Sequence, residues 1–341
     1  MEFLKRLGFL AFVLFILFLF IWALYLPKEE ITSTITKTLE QQKERLDLLF
    51  EGVTFQESSG GVKYWEIKAK SSAINNTTGL ATLEEAVGYF FESGRPTLKF
   101  LSPRAFWQMN KKEIYLENPL GYDVKSESKL KQFLSEIKDK EVSVFSLPAR
   151  YKNPGEGILF KAKRLSWKLI NKKMLCEGGI WLNKGEITGT GDTLQADVGL
   201  KKVLLYGHPR VIISNENPTL IVAERFEVDT PSDTLQAGGG VKIESDQIKI
   251  TAERLVYHQK DDDLELQNKV VITYGDTRAE SKRAHYDLKR QLITLTEATR
   301  FVRRGSRLSG NTIIVSVKDK TFKVLGKTKV VIPEAEIKEE K

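Results

Sequence analysis

The sequence predicts an all-β protein: an elongated stack of repeated antiparallel hairpins following one N-terminal transmembrane helix. Three observations predict it. Apolar and polar residues alternate through most of the chain beyond Gly52, a two-strand unit recurs at a fixed spacing, and about 20 residues without a charge stand near the N-terminus.

The repeating unit is clearest in Gln247 to Thr273, QIKITAERLVYHQKDDDLELQNKVVIT. Ile248, Ile250 and Ala252 alternate with polar residues, Glu253-Arg254 interrupts, and Leu255 and Tyr257 resume. After Asp261-Asp262-Asp263, the residues Leu264, Leu266, Val270 and Ile272 form a returning strand with Asn268 at its middle. The small residue of the first strand and the apolar residue opening the second, Ala252 and Leu264, are separated by about 12 positions. The pairs Ala69/Ala81, Ser102/Ile114, Ala162/Met174, Gly191/Val203, Ala223/Leu235, Ser281/Ile293 and Gly310/Phe322 keep that offset. From Ala162 onward the first anchors lie about 29 residues apart, once about 32. The gap from Ser102 to Ala162 is close to two periods, which predicts one degenerate copy inside it. A returning strand reads apolar-x-apolar-x-(Gly/Asn)-x-apolar, as in Ile114, Leu116, Asn118, Leu120 and in Leu235, Ala237, Gly239, Val241; the copy at Ala81, Leu83, Glu85 is weak.

At the N-terminus, Lys5-Arg6 precedes LGFLAFVLFILFLFIWALYL, a run long enough to cross a bilayer core, with Trp22 and Tyr25 placed for an interfacial belt. The run exceeds the apolar core of a signal peptide and no small-x-small site precedes Pro27, so an uncleaved anchor is expected. Positive charge ahead of the span puts the N-terminus in the cytoplasm and the bulk of the chain across the membrane. From Lys28 to Phe50 the apolar positions Ile31, Ile35, Leu39, Leu46 and Leu49 follow a helical period, predicting a juxtamembrane helix or stalk. Hairpin copies follow, and Val124 to Lys140 loses the strand period. Pro148, Asn153, Pro154 and Gly155 mark an internal boundary. The expected division is therefore 1–27 cytoplasmic N-terminus and span, 28–51 stalk, 52–152 and 153–332 two β sections, and 333–341 a fraying tail.

Composition excludes several classes. With 41% hydrophobic and 29% charged residues the chain is globular rather than disordered. Lys and Arg exceed Asp and Glu by 53 to 45, but the cations are scattered, so no nucleic-acid partner is expected. Cys176 is alone and on the apolar parity of its strand, which makes it a buried thiol rather than a nucleophile. His208, His258 and His285 fall at unrelated repeat positions without metal-ligand spacing, and neither a nucleophile elbow nor a phosphate loop appears. No metal, cofactor or catalytic residue is predicted. Asp261-Asp262-Asp263 raises a paired-carboxylate hydrolase on a parallel β-helix as the enzymatic alternative, but a hairpin tip favours Asp simply as a turn former. Gly238-Gly239-Gly240 reads as a bulge or crowded crossing inside a strand.

Hairpins with one apolar face are not stable singly; stacked, they bury a continuous interior as a curled sheet or flattened roll. That interior is either an ordinary core or a groove open to a lipid tail, and pattern alone leaves both open. The stack also ends in an unpaired strand able to accept another molecule's strand.

The Trp65-x-Ile67-x-Ala69 segment after a single span resembles the LptC and LptA (OstA-like) proteins of lipopolysaccharide export. So do the Ala223-Glu224-Arg225-Phe226 and Ala252-Glu253-Arg254-Leu255 copies with the strands that follow them. The resemblance covers essentially everything after the span. It implies an antiparallel β-jellyroll that takes lipopolysaccharide from an inner-membrane ABC transporter (LptB/LptF/LptG-like), shields its acyl chains and passes it to an LptA-like or LptD-like partner by edge-strand addition. The chain is about twice the usual LptC repeat number, so it reads as an extended LptC or an LptC-like section continued by an LptA-like one. On this reading Trp65, Ile67, Phe160, Trp167, Ile180, Leu182, Phe226, Val228, Val241, Ile243, Ile250, Leu255, Tyr257, Leu266 and Ile272 face the lipid. Arg164, Arg225 and Arg254 occupy one repeat-equivalent position as a basic ladder near lipid phosphates, or else as solvated side chains. Phe322, Val324, Val330 and Ile332 form the partner edge. The reading from another class is a membrane-anchored scaffold with a filled interior that binds proteins through its sheet ends.

Overall fold

The structure is a computed structural model describing residues 48–127, 157–168, 173–214, 218–245, 248–303, 305–319 and 321–331. The chain divides into two compact units, residues 1–48 and 49–341, and the second contains all the described residues but Leu48. The expected span, most of the stalk, the tail and Ile332 lie outside the described residues.

In chain order the first strands are β1 (Leu48–Ser59), β2 (Val62–Asn75), β3 (Leu80–Glu92), β4 (Arg95–Gln108), β5 (Glu113–Glu117), β6 (Leu120–Asp123), β7 (Leu159–Lys161), β8 (Arg164–Lys168) and β9 (Lys173–Lys184). Next come β10 (Ile187–Asp197), β11 (Lys202–Tyr206), β12 (Arg210–Ile213), β13 (Thr219–Val222), β14 (Arg225–Asp229) and β15 (Thr234–Ser245). The last are β16 (Ile248–His258), β17 (Asp263–Tyr274), β18 (Thr277–Asp287), β19 (Leu292–Arg303), β20 (Ser306–Ser316), β21 (Thr321–Leu325) and β22 (Lys329–Val331). The helical spacing expected through Phe50 therefore gives way to strand at Leu48. There β1 pairs with the free edge of β2, and hydrogen bonding along that edge overrides the local period.

β16 and β17 are the predicted hairpin, with Ile250 opposite Ile272 and Leu255 opposite Leu266. Their register slips between Thr251 and Arg254, where Asn268 and Lys269 on the facing strand take φ of 61° and 49°. Two left-handed residues in succession bulge and bend a strand, which Gly and Asn tolerate best. The same bend recurs along the chain at Glu85, Asn118, Gly178-Gly179, Gly207-His208, Gly239-Gly240, Glu297 and Gly326. Opposite these bends stand the small anchors of the repeat, from Ala69 to Gly310. A Cβ at Gly310 would come 2.6 Å from Val324 Cγ1, which shows why the position stays small. The glycine run 238–240 is such a bulge: its register shifts between Gly238 and Val241, and a Cβ on Gly239 would meet Glu224 Oε2 at 2.3 Å.

The bends divide the strands between two layers. Layer I passes through the far half of β2, β3 and β4, then β5, β8, β9, β10, β11, β14 and one half each of β15 to β20, ending on β21. Layer II passes through the other halves by way of β6, β7, β12 and β13 and ends on β22. The pairings among β2 to β22 are all antiparallel. Inward side chains of both layers belong to one apolar core, and Phe90 of layer II meets Trp167 of layer I with ring centroids 4.9 Å apart.

The degenerate copy expected between Ser102 and Ala162 falls largely on residues 128–156, which lie outside the described residues. The described strands on either side of that stretch are neighbours: β5 pairs directly with β8 and β6 with β7. Asp123 N–H donates to Ile158 O at 3.0 Å and Gly157 N–H to Ser126 Oγ at 2.9 Å, closing the two ends of the connection. The boundary expected at 152/153 falls inside it. Leu116 opposite Leu165 and Gly121 opposite Phe160 join the two sections into one hydrogen-bonded series.

Candidate functional site

Every residue that the family resemblance places against lipid, from Trp65 to Ile272, is buried, with exposures of 0 to 4%. Trp167, Phe226, Val228, Leu255, Tyr257 and Leu266 come from layer I and the other nine from layer II, so the two sets face one another. They pack into the core and into one another. Of the two interiors left open by pattern, the described residues form the filled one. Near the C-terminal end a cavity of about 170 Å³ is lined by Tyr274, Phe301, Arg303, Val315 and Phe322 among others. Phe301 and Phe322 stack there with centroids 4.3 Å apart.

The roll is held differently on its two sides. On the bend side the strands themselves cross from layer to layer. On the opposite side, hairpin turns of layer I meet hairpin turns of layer II, and side chains hold them. Lys184, at the β9–β10 turn of layer II, reaches Asp233 Oδ1 at 2.7 Å and Gln259 Oε1 at 2.8 Å, in the β14–β15 and β16–β17 turns of layer I. Its side chain is only 4% exposed. Lys260 adds a second cation 3.4 Å from Asp233, and these contacts, led by the Lys184 hydrogen bond, hold the Asp233 carboxyl below the usual carboxylate range. Further along this seam, Thr97 Oγ1 donates to Val198 O at 3.0 Å and Lys201 pairs with Glu92 at 2.7 Å. Sequence reasoning missed these residues. Lys184-Gly185-Glu186 looks like any polar turn, and nothing local marks its lysine as buried.

The predicted arginine ladder exists as geometry. On the outer face of layer I, beside the bend, one cross-strand row runs Glu84, Arg104, Glu117, Arg164, Glu177 and later Arg225, Gly238, Arg254, Gln267, Arg283. In its first part acids separate the arginines, and Arg104 contacts Glu84 at 3.2 Å and Glu117 at 3.5 Å. In the later part Gly238 and Gln267 take the acid places, leaving Arg225 and Arg254 exposed without a carboxylate in their row. The row faces outward, away from the apolar interior.

Other singled-out groups have structural partners. Cys176 is buried, and that burial pushes its thiol well above the ordinary range. Asp262 accepts a hydrogen bond from the buried Tyr257 hydroxyl at 2.9 Å and holds a left-handed turn position. Asp263 pairs with His285 at 2.7 Å, and His208 with Asp192 at 2.9 Å. Among the described residues no three His, Cys, Asp or Glu side chains are grouped as metal ligands.

Among the described residues, both ends of the layers carry an unpaired strand edge. At the C-terminal end the described partner of β21 and β22 is β20, and Leu325, Val330 and Val331 are exposed. Phe322 and Val324 of the predicted edge are half-buried instead, because they pack against the core. At the other end Leu49 and Phe50 on β1 are exposed.

Bent antiparallel strands in two layers around one apolar core define a β-roll assembled from hairpins, with free strand edges at its ends. Residues 11–128 match the family described as lipopolysaccharide-assembly, LptC-related, and residues 220–321 match that of LptA/(LptD N-terminal domain) LPS transport proteins. The chain thus combines an LptC-related section with an LptA-like section. LptH, described as the LptA homologous periplasmic component of the lipopolysaccharide transport device of Pseudomonas aeruginosa, is 12% identical over 43% of this chain and 94% of its own, with a TM-score of 0.22. No curated protein matches the chain.

Proposed function

We propose that this protein is an inner-membrane-anchored, periplasmic β-jellyroll component of lipopolysaccharide export. The apolar run before Pro27 anchors it, with the N-terminus cytoplasmic. It receives lipopolysaccharide from an LptB/LptF/LptG-like ABC transporter and passes it toward an LptA-like or LptD-like partner. The observation that carries this reading is the continuity of both layers from the LptC-related section into the LptA-like one. One interior therefore runs between the two free edges. Acyl chains held there would be bound by apolar burial alone, at about 25 cal/mol per Å². Such binding has no preferred register and permits sliding. On this reading Arg225 and Arg254, exposed on the outer face, and Arg164 in the same row contact lipid phosphates, and Val330 with Val331 is the edge offered to the next protein.

One observation favours a second reading. The described interior is filled with side chains, which suits a scaffold that binds proteins at its ends and carries no lipid. Photo-crosslinkers placed at Leu255 and Phe226 in the full chain in its own membrane separate the two. Capture of lipopolysaccharide supports transport, and a crosslinker that reaches only protein supports the scaffold.

A further inference from the structure

Because the interior is filled at rest, an acyl chain enters only if the layers part. The two sides of the roll resist parting unequally. At the bends the chain is covalently continuous from layer to layer, and within each layer an unbroken series of backbone hydrogen bonds holds the rows. At the seam, among the described residues, turns of the two layers are joined through side chains: Lys184 to Asp233 and Gln259, Thr97 to Val198, and Lys201 to Glu92.

Lys184 concentrates them. It reaches Asp233 and Gln259, 49 and 75 positions further along the chain, and Gln259 N–H donates to Asp233 O at 3.0 Å, tying the two layer I turns together. The ammonium is buried and its acid partner is not: the Asp233 side chain is 31% exposed and shared with Lys260. A buried lysine that loses its carboxylate needs another anion, because an unpaired buried charge is costly. Gly185 beside it packs closely, since a Cβ there would come 3.0 Å from Gln259 Nε2.

We propose that the seam is the line along which hydrocarbon enters and leaves the interior, and that Lys184 is its latch, exchanging the Asp233 carboxylate for an anionic lipid headgroup as the turns separate. This rests on the transport reading above. It names a route for that reading and a residue that selects amphiphiles carrying an acidic group next to their acyl chains.

Two measurements on the full chain test it. Lys184→Met removes the charge and keeps most of the side-chain length. Hydrogen exchange at the amides of 185–187 and 259–262 is expected to quicken at least tenfold while the strands of β16 and β17 stay protected; unchanged exchange would overturn the latch. For the route, Lys184→Cys with Asp233→Cys is joined by a short bis-maleimide, to which the buried Cys176 does not respond. A photo-crosslinking residue in place of Phe226 then reports lipopolysaccharide capture in the native membrane. Capture by the unjoined double variant and at least a tenfold loss on joining is the expected result. Equal capture before and after joining sinks the seam route but leaves lipid transport standing. Absence of capture in the unjoined variant and in the otherwise unaltered chain removes transport itself, and the route with it.

Discussion

Gly121 on β6 lies directly across from Phe160 on β7, and a methyl group on Gly121 would come 2.3 Å from the ring carbon Cζ of that phenylalanine. The ring covers the bare backbone of the neighbouring strand, filling the place of the missing side chain. This contact joins the LptC-related section to the strands beyond residues 128–156, so the junction is made by packing as well as by hydrogen bonds. Gly121→Ala is expected to destabilise the protein by about 1–3 kcal/mol through overpacking. Pairing it with Phe160→Leu should recover part of that loss in a double-mutant cycle, read from thermal unfolding.

The same junction predicts that the two sections do not fold as separate domains. A fragment of residues 28–152 lacks β7 and β8, leaving β5 and β6 as free edges and uncovering Leu116. It should be aggregation-prone or loosely packed, with fast amide exchange in β5 and β6. A cooperative unfolding transition of that fragment alone would contradict the single continuous core.

Glu85 stands at a bend that most other copies, Glu297 excepted, give to Gly or Asn, and it holds φ at 49°. A side chain with a full Cβ is disfavoured in that conformation by about 1–2 kcal/mol. Its ion pair with Lys70, at 2.6 Å, is exposed to solvent and offsets little of this. Glu85→Asn should therefore raise the melting temperature by about 1–3 °C, while Glu85→Val should lower it.

Asp233 supplies a pH dependence. Its carboxyl titrates below its unfolded value, chiefly because Lys184 donates to it. A depressed carboxyl contributes stability that is present above the unfolded pKa and disappears as pH falls through the folded one. The difference in melting temperature between the native chain and Asp233→Asn should stay constant from neutral pH down to about 5 and shrink below about 4. A difference that grows in acid would contradict the assignment.

Val330 and Val331 on β22 are half exposed, and among the described residues their strand pairs with β20 alone. A lysine on an edge strand opposes further pairing without disturbing the core. Val331→Lys should weaken association through this edge at least tenfold in a binding measurement and leave the melting temperature within about 1 °C. Val324→Lys should instead unfold the end of the roll, since Val324 packs against Gly310 and the core.

The hairpin repeat, the inward parity of its strands and the bulge at Gly238-Gly239-Gly240 were legible in the residues alone. Each is local: alternation has a period of two, and a glycine run admits left-handed backbone. Residue spacing did not reveal that β5 meets β8 and β6 meets β7 directly, because those strands are far apart in the chain and their pairing is not a local property. Local period also extended the stalk into Leu48 to Phe50, where pairing with β2 prevails. The packed interior of the described residues and the meeting of Lys184 with Asp233 and Gln259 emerge in three dimensions alone. Those contacts depend on how far twist carries one layer past the other over several rows, a sum over the whole stack that no single stretch of residues records.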